Sequence, residues 1–246
     1  KTAEDSPAIR LGFDRIKGMD LELGARIARW REALPEQDGD PDRLKNALMR
    51  ETGICREQME VLAAAGALQT LSGHRHRAFW DAAGVEPPMA LLGHPRFSEG
   101  APLLATPTEG EDIVADYASL RLTLGRHPLA VLRPRLDACG VTPSDALRSR
   151  ATGTPVTVCG LVVGRQRPGS ASGVIFMTLE DESGLINLVI WPKVLERYRR
   201  AVLQARLPLI VGHVQNEEDV LHVIAREFSD HSDWLGQLSV SSRDFH

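Results

Sequence analysis

An α+β fold is predicted, with helices first and strands last. Three observations predict it. Residues 155–226 are a series of short apolar runs rich in β-branched residues and separated by turn signals. Residues 8–78 carry apolar side chains at helical spacing instead. Between these regions, residues 84–110 are rich in proline and glycine and lack either period.

In the helical part, Leu23, Ile27, Trp30 and Leu34 mark one helix, and the run 35–41 (PEQDGDP) ends it. Leu44, Leu48 and Met49, then Met59, Leu62 and Ala63, continue the pattern to 66–68. Two stretches share a frame. Gly18 is followed by Met19 and later by Ile27; Gly53 is followed by Ile54 and later by Leu62. A glycine turn, then an apolar residue, then a new helix is the spacing of a helix-hairpin-helix unit. The turn needs glycine so that the backbone can bend sharply and approach a phosphate. N–H groups opening the next helix can then meet a phosphate oxygen without reading sequence. Lys17, Gly18 and Met19, and Gly53, Ile54 and Arg56, are the candidate contacts. Asp20 is a good N-cap that would satisfy the same N–H groups and repel a phosphate. The neutral Cys55 suits an anion better. A purely structural packing unit is the competing reading of both turns.

Residues 73–77 (GHRHR) read as a basic loop, adding Arg75 and Arg77 as candidate DNA contacts. No further ligand lies at metal spacing from His74 and His76, so no metal is expected there. Residues 112–150 regain helical character, interrupted at 125–128 and 139–143.

Five strands with one helix are expected in the last part: 155–164, 174–180, 185–191, a helix from Pro192 through Val194, Tyr198 and Val202, then 207–214 and 220–225. That order is a small Greek-key barrel, the OB-fold, whose face commonly binds single-stranded nucleic acid. Arg165 and Arg167 in the first loop, with Phe176 on the second strand, are the candidate contacts. Phe176 faces either the core or the groove, and Trp191 stacks or packs under the helix. Residues 180–182 (EDE) form a carboxylate cluster at a hairpin turn, where acidic residues are common turn formers. No catalytic residues are expected. The domain boundaries are therefore 1–80 hairpins, 81–111 linker, 112–150 helical connector, 151–230 barrel and 231–246 tail.

The chain has 246 residues, with 29 Lys and Arg against 33 Asp and Glu. No segment is basic overall, so DNA must be met by local clusters and backbone N–H groups. There is no apolar run of membrane-spanning length. Three widely spaced cysteines argue for a reducing compartment. The chain starts at Lys1, and it reads as a piece of something longer.

The stretches LGFDRIKGM (11–19), VLAAAGAL (61–68), GHRHRAFW (73–80), LGRHPLAVLRPRL (124–136), GVIFMTLEDESGLINLVIW (173–191) and SRDFH (242–246) together resemble the C-terminal region of the bacterial C-family DNA polymerase III α subunit. The barrel and the ending resemble its error-prone branch, used in damage-induced mutagenesis. The resemblance implies a cytoplasmic translesion polymerase. Its nucleotidyl-transfer carboxylates and Mg would lie upstream, and this chain would carry no cofactor. DNA, as primer-template or single-stranded template, and accessory mutagenesis proteins are the implied partners. A clamp-binding peptide of the form Gln-x-x-Met/Leu-Phe is missing from 79–150, which argues against direct sliding-clamp binding; residues 237–240 match it only in part. Two other readings remain: a scaffold docking accessory proteins, and a tRNA anticodon-binding barrel.

Overall fold

The computed structural model describes residues 10–34, 40–84, 104–169, 173–217 and 220–238. The SRDFH ending, most of the Pro/Gly-rich linker and the end of the partial clamp motif lie outside these residues. The chain divides into two units: 1–108 with 115–124, and 109–114 with 125–246. The predicted connector is thus shared between them.

The first unit is helical. After a 3₁₀ turn at Phe13–Arg15 come α1 (Leu21–Glu32), α2 (Pro41–Thr52), α3 (Arg56–Ala64), α4 (Gln69–Ser72) and α5 (Arg75–Ala83). The last residues of α6 (Glu109–Leu120) complete it. Apolar side chains one helical turn apart build its core: Leu23 and Ile27 from α1, Leu48 from α2, Met59 and Leu62 from α3, Ala78 and Ala82 from α5. The GHRHR stretch is a helix start rather than a loop. His74 caps α5 by accepting from the Arg77 N–H, and Arg75 turns inward.

The second unit holds α7 (Pro128–Ala138), α8 (Ser144–Leu147) and the barrel: β1 (Pro155–Cys159), β2 (Leu161–Gln166), β3 (Ile175–Asp181), β4 (Gly184–Ile190), α9 (Pro192–Arg197), α10 (Arg199–Gln204), β5 (Pro208–Glu217) and β6 (Val220–Asp230), with α11 (Asp233–Gln237) last. Six strands stand where five are expected, because the first is broken at Gly160. A Cβ on Gly160 would lie 2.8 Å from Leu179 Cβ and 2.9 Å from the Glu180 carbonyl oxygen. Glycine allows that approach. The sheet order is β1-β5-β6-β4-β3-β2, with β4 and β6 parallel and the other pairs antiparallel. Its two end strands, β1 and β2, are consecutive in the chain and joined by Gly160 alone. This is the OB topology. The last two strands run further than their apolar runs suggest, to Glu217 and Asp230. The single expected helix is split at Tyr198, whose φ of −118° and ψ of 28° leave the α region.

The barrel core takes alternate residues from each strand, among them Val156, Val158, Met177, Leu179, Ile186, Leu188 and Ile210, capped by Leu195 and Val202 from the helices. A smaller cluster joins Leu129, Leu132 and Leu136 of α7 to Cys159, Leu207 and Trp234. All three cysteines are free.

Candidate nucleic-acid interface

Both hairpin glycines have positive φ, 82° at Gly18 and 65° at Gly53. In each turn the next residue is a buried anchor, Met19 or Ile54. Those two side chains therefore hold the turn to the core; only their backbone is left to meet a ligand. The residue after the anchor caps a helix, Asp20 for α1 and Cys55 for α3.

The two turns then differ. Asp20 Oδ1 accepts from the N–H groups of Glu22 at 2.9 Å and Leu23 at 3.3 Å. Gln58 of α3 braces this turn, accepting from the Asp20 N–H and donating to the Gly18 carbonyl at 3.1 Å. The first turn thus carries its own anion. Cys55 makes no side-chain cap on α3. A Cβ on Gly53 would meet nothing within 4 Å, so this turn faces open space. Arg26, from α1, reaches its base, with Nε donating to the Thr52 carbonyl at 3.2 Å. Arg56 lies beside it, in an exposed i,i+4 pair with Glu60. Glu57 adds one carboxylate, which its bond from Cys55 and the charge of Arg56 hold below the usual carboxylate range. The second turn is the more open to an anion, and Arg26 is a cation that sequence spacing could not place there.

Arg75 is a correction. Its side chain is 5% exposed and pairs with Asp116, 8% exposed, at 2.5 Å. Asp116 also accepts from Thr123 Oγ1 and the Leu124 N–H. A charge buried and matched in this way is a structural tie, not a phosphate contact. Arg77 is drawn to Asp81, which also holds Lys45 and Ser72. Lys17 stays exposed, its backbone N–H donating to the Ser119 carbonyl.

On the barrel, β3 alternates strictly: Ile175, Met177 and Leu179 point in, and Phe176, Thr178 and Glu180 point out. Phe176 is 38% exposed and Trp191 53%, so neither packs as core. Phe176 pairs with Val189, and Trp191, in extended backbone just past the end of β4, caps the start of α9 two residues beyond Val189. Thr178 and Asn187 continue the outward face of Phe176 as a hydrogen-bonded pair. Arg165 is a correction of role: Nε donates to the Val202 carbonyl at 2.9 Å and Nη2 to that of Ala205, so it ties β2 to the end of α10. Arg167 is exposed at the end of that strand.

The EDE cluster is a structural turn. Asp181 is 3% exposed and accepts from the backbone N–H groups of Ser144, Ser183 and Gly184 and from the Ser144 and Ser183 hydroxyls. Glu182 pairs with Arg133. Among the described residues there is no cluster of three or more His, Cys, Asp or Glu placed to hold a metal, and no helix long and apolar enough to cross a membrane.

Glycine-turned helices followed by an OB-type sheet place the chain in the class of proteins that join a helix-hairpin-helix region to an OB-fold domain. The family models agree: a helix-hairpin-helix motif matches residues 1–78, and an OB-fold nucleic acid binding domain matches 156–230. More particularly, the chain is similar along nearly its whole length to part of curated error-prone DNA polymerases. It is 45% identical over 240 residues to that of Methylococcus capsulatus, covering 98% of this chain and 22% of the relative. With those of Alkalilimnicola ehrlichii and Pseudomonas paraeruginosa it shares 44% and 45% identity, covering 99% of this chain and 23% of each relative. The chain thus spans less than a quarter of the length of these curated relatives. Among solved structures, asparaginyl-tRNA synthetase from Pyrococcus horikoshii complexed with asparaginyl-adenylate aligns with 37% of this chain and 22% of its own, at 19% identity and a TM-score of 0.33.

Proposed function

We propose that this chain is the DNA-holding part of a cytoplasmic translesion DNA polymerase. The second hairpin takes a backbone phosphate of the duplex with Gly53, Arg26 and Arg56. The barrel face takes unpaired template, its bases stacking on Phe176 and Trp191. Stacking on aromatic faces is worth about 1–3 kcal/mol per base and tolerates any sequence. Nucleotidyl transfer, with its Mg²⁺ and carboxylates, belongs to the remainder of the longer proteins. Accessory mutagenesis proteins and Lys17, Arg77 and Arg167 complete the proposed contacts.

The observation that carries this reading is the placement of Phe176 and Trp191. Two large aromatics stand exposed to solvent on a barrel whose interior is filled mainly by aliphatic residues and Phe228. Fluorescence anisotropy at low salt tests it, with a primer-template, a blunt duplex and a dT oligonucleotide as probes. Phe176→Ala with Trp191→Ala weakens dT and primer-template binding by about tenfold and leaves blunt duplex unchanged. Equal affinity of wild type and double variant for dT would sink the proposal.

A further inference from the structure

A small pocket of about 140 Å³ lies at the helix-capped end of the barrel, with Gln166, the cross-strand partner of Phe176, in its lining. Ile175, Leu195 and Leu203 form its floor, and Arg165, Arg167 and Arg199 its rim. Among the described residues, no carboxylate comes within ion-pair distance of any of the three. Arg165 donates to the two carbonyls at the end of α10, and burial presses its pKa down against the opposing charge of Asp230. A cationic rim is notable here because residues 151–246 carry more acidic than basic side chains.

Size and lining decide what fits. Pockets for drug-sized ligands run to roughly 300–1,000 Å³. This one is less than half the lower bound, too small for a nucleoside. Its floor is aliphatic, with no aromatic face on which a base could stack. One apolar side chain fits such a floor, and carboxylates on either side of it complement the arginines.

We propose that this pocket docks an acidic peptide segment of a partner protein, one apolar side chain seated against Ile175, Leu195 and Leu203 and its flanking carboxylates paired with Arg167 and Arg199. Arg165 positions the rim by holding β2 to α10. The site shares Arg167 with the proposed DNA contacts, but Arg199 and Leu203 are not among them, so its test at those two residues can fail while that of the DNA contacts succeeds.

The test uses the 246-residue chain and a fluorescein-labelled peptide of three aspartates followed by leucine and isoleucine, read by anisotropy. Arg167→Glu, Arg199→Glu and Leu203→Asp each weaken peptide binding by about fivefold or more. Arg150→Glu, an exposed arginine that does not line the pocket, leaves it unchanged. Leu203 is 44% exposed, so its substitution does not empty the core, and unchanged thermal melting verifies the fold. Absence of peptide binding, or equal affinity in all variants, overturns the proposal. So does displacement of the peptide by dT oligonucleotide, with dT binding weakened by the two arginine variants but not by Leu203→Asp; the pocket would then be a nucleic-acid site.

Discussion

Single residues decide which of the two similar turns can meet a phosphate. Asp20 serves as its own helix cap, so Asp20→Ala removes two hydrogen bonds and costs about 1 kcal/mol of stability. Cys55→Ala, where no cap exists, is near neutral. Urea denaturation of both variants checks the contrast; equal losses would refute it. Arg75 is a sharper case. Truncating it to alanine leaves the Asp116 charge buried without its partner, a loss of about 3–5 kcal/mol, while the folded variant keeps wild-type affinity for duplex. Sequence alone makes Arg75 a loop cation among histidines, because its partner stands 41 residues away. The same distance problem hides Arg26 at the Thr52 carbonyl. Phe176 could not be assigned a face either, since the residues on both sides of it are apolar and only closure of the barrel decides which row points inward. What could be read were the local requirements, chiefly the glycines whose turns need positive φ.

At the scale of elements, the strands and the barrel order were legible because alternation and turn residues are local. The break at Gly160 was not, since it answers to the approach of β3 from another part of the chain. Gly160→Ala forces Leu179 and the Glu180 backbone aside and costs about 1–3 kcal/mol. Gly164→Ala, whose new Cβ would stand 3.9 Å from Thr178 Cβ, is tolerated. Thermal melting of the two variants measures the difference. The β3–β4 turn supplies a pH test. Burial alone would raise the Asp181 pKa, but the hydrogen bonds from Ser144 and Ser183 outweigh it and hold the carboxyl below its ordinary 3.8. A group depressed in the folded state stabilises above its unfolded pKa, and that contribution is lost as pH falls through the folded value. Melting temperature therefore drops on acidification below about 4 in the wild type. Asp181→Asn starts lower at neutral pH and flattens this acid limb; an identical acid limb in the variant would refute the assignment.

At the scale of the whole molecule, charge sets how DNA can be held. The chain has a net charge of −4, and many arginines of the helical unit are already matched: Arg43 with Asp40, Arg50 with Glu51, Arg56 with Glu60, Arg75 with Asp116 and Arg77 with Asp81. That balance gives no long-range attractive field, and on the proposed function duplex affinity rests on a few short-range phosphate contacts plus backbone N–H groups. Each phosphate neutralised by a cation releases counterions, so the slope of log K against log salt counts the contacts, at about −0.9 per phosphate. Arg26 and Arg56 at the second turn contribute about −2 to the slope for blunt duplex and Lys17 and Arg77 add up to about −2 more, still shallower than that of a protein with a basic face. Arg26→Ala lowers affinity alike for unrelated sequences and reduces the slope by about 1. Anisotropy titrations between low and physiological salt give both quantities from one data set. A steep slope in the wild type would mean that cations beyond these four hold the duplex, and a slope unchanged by Arg26→Ala would remove that residue from the contact.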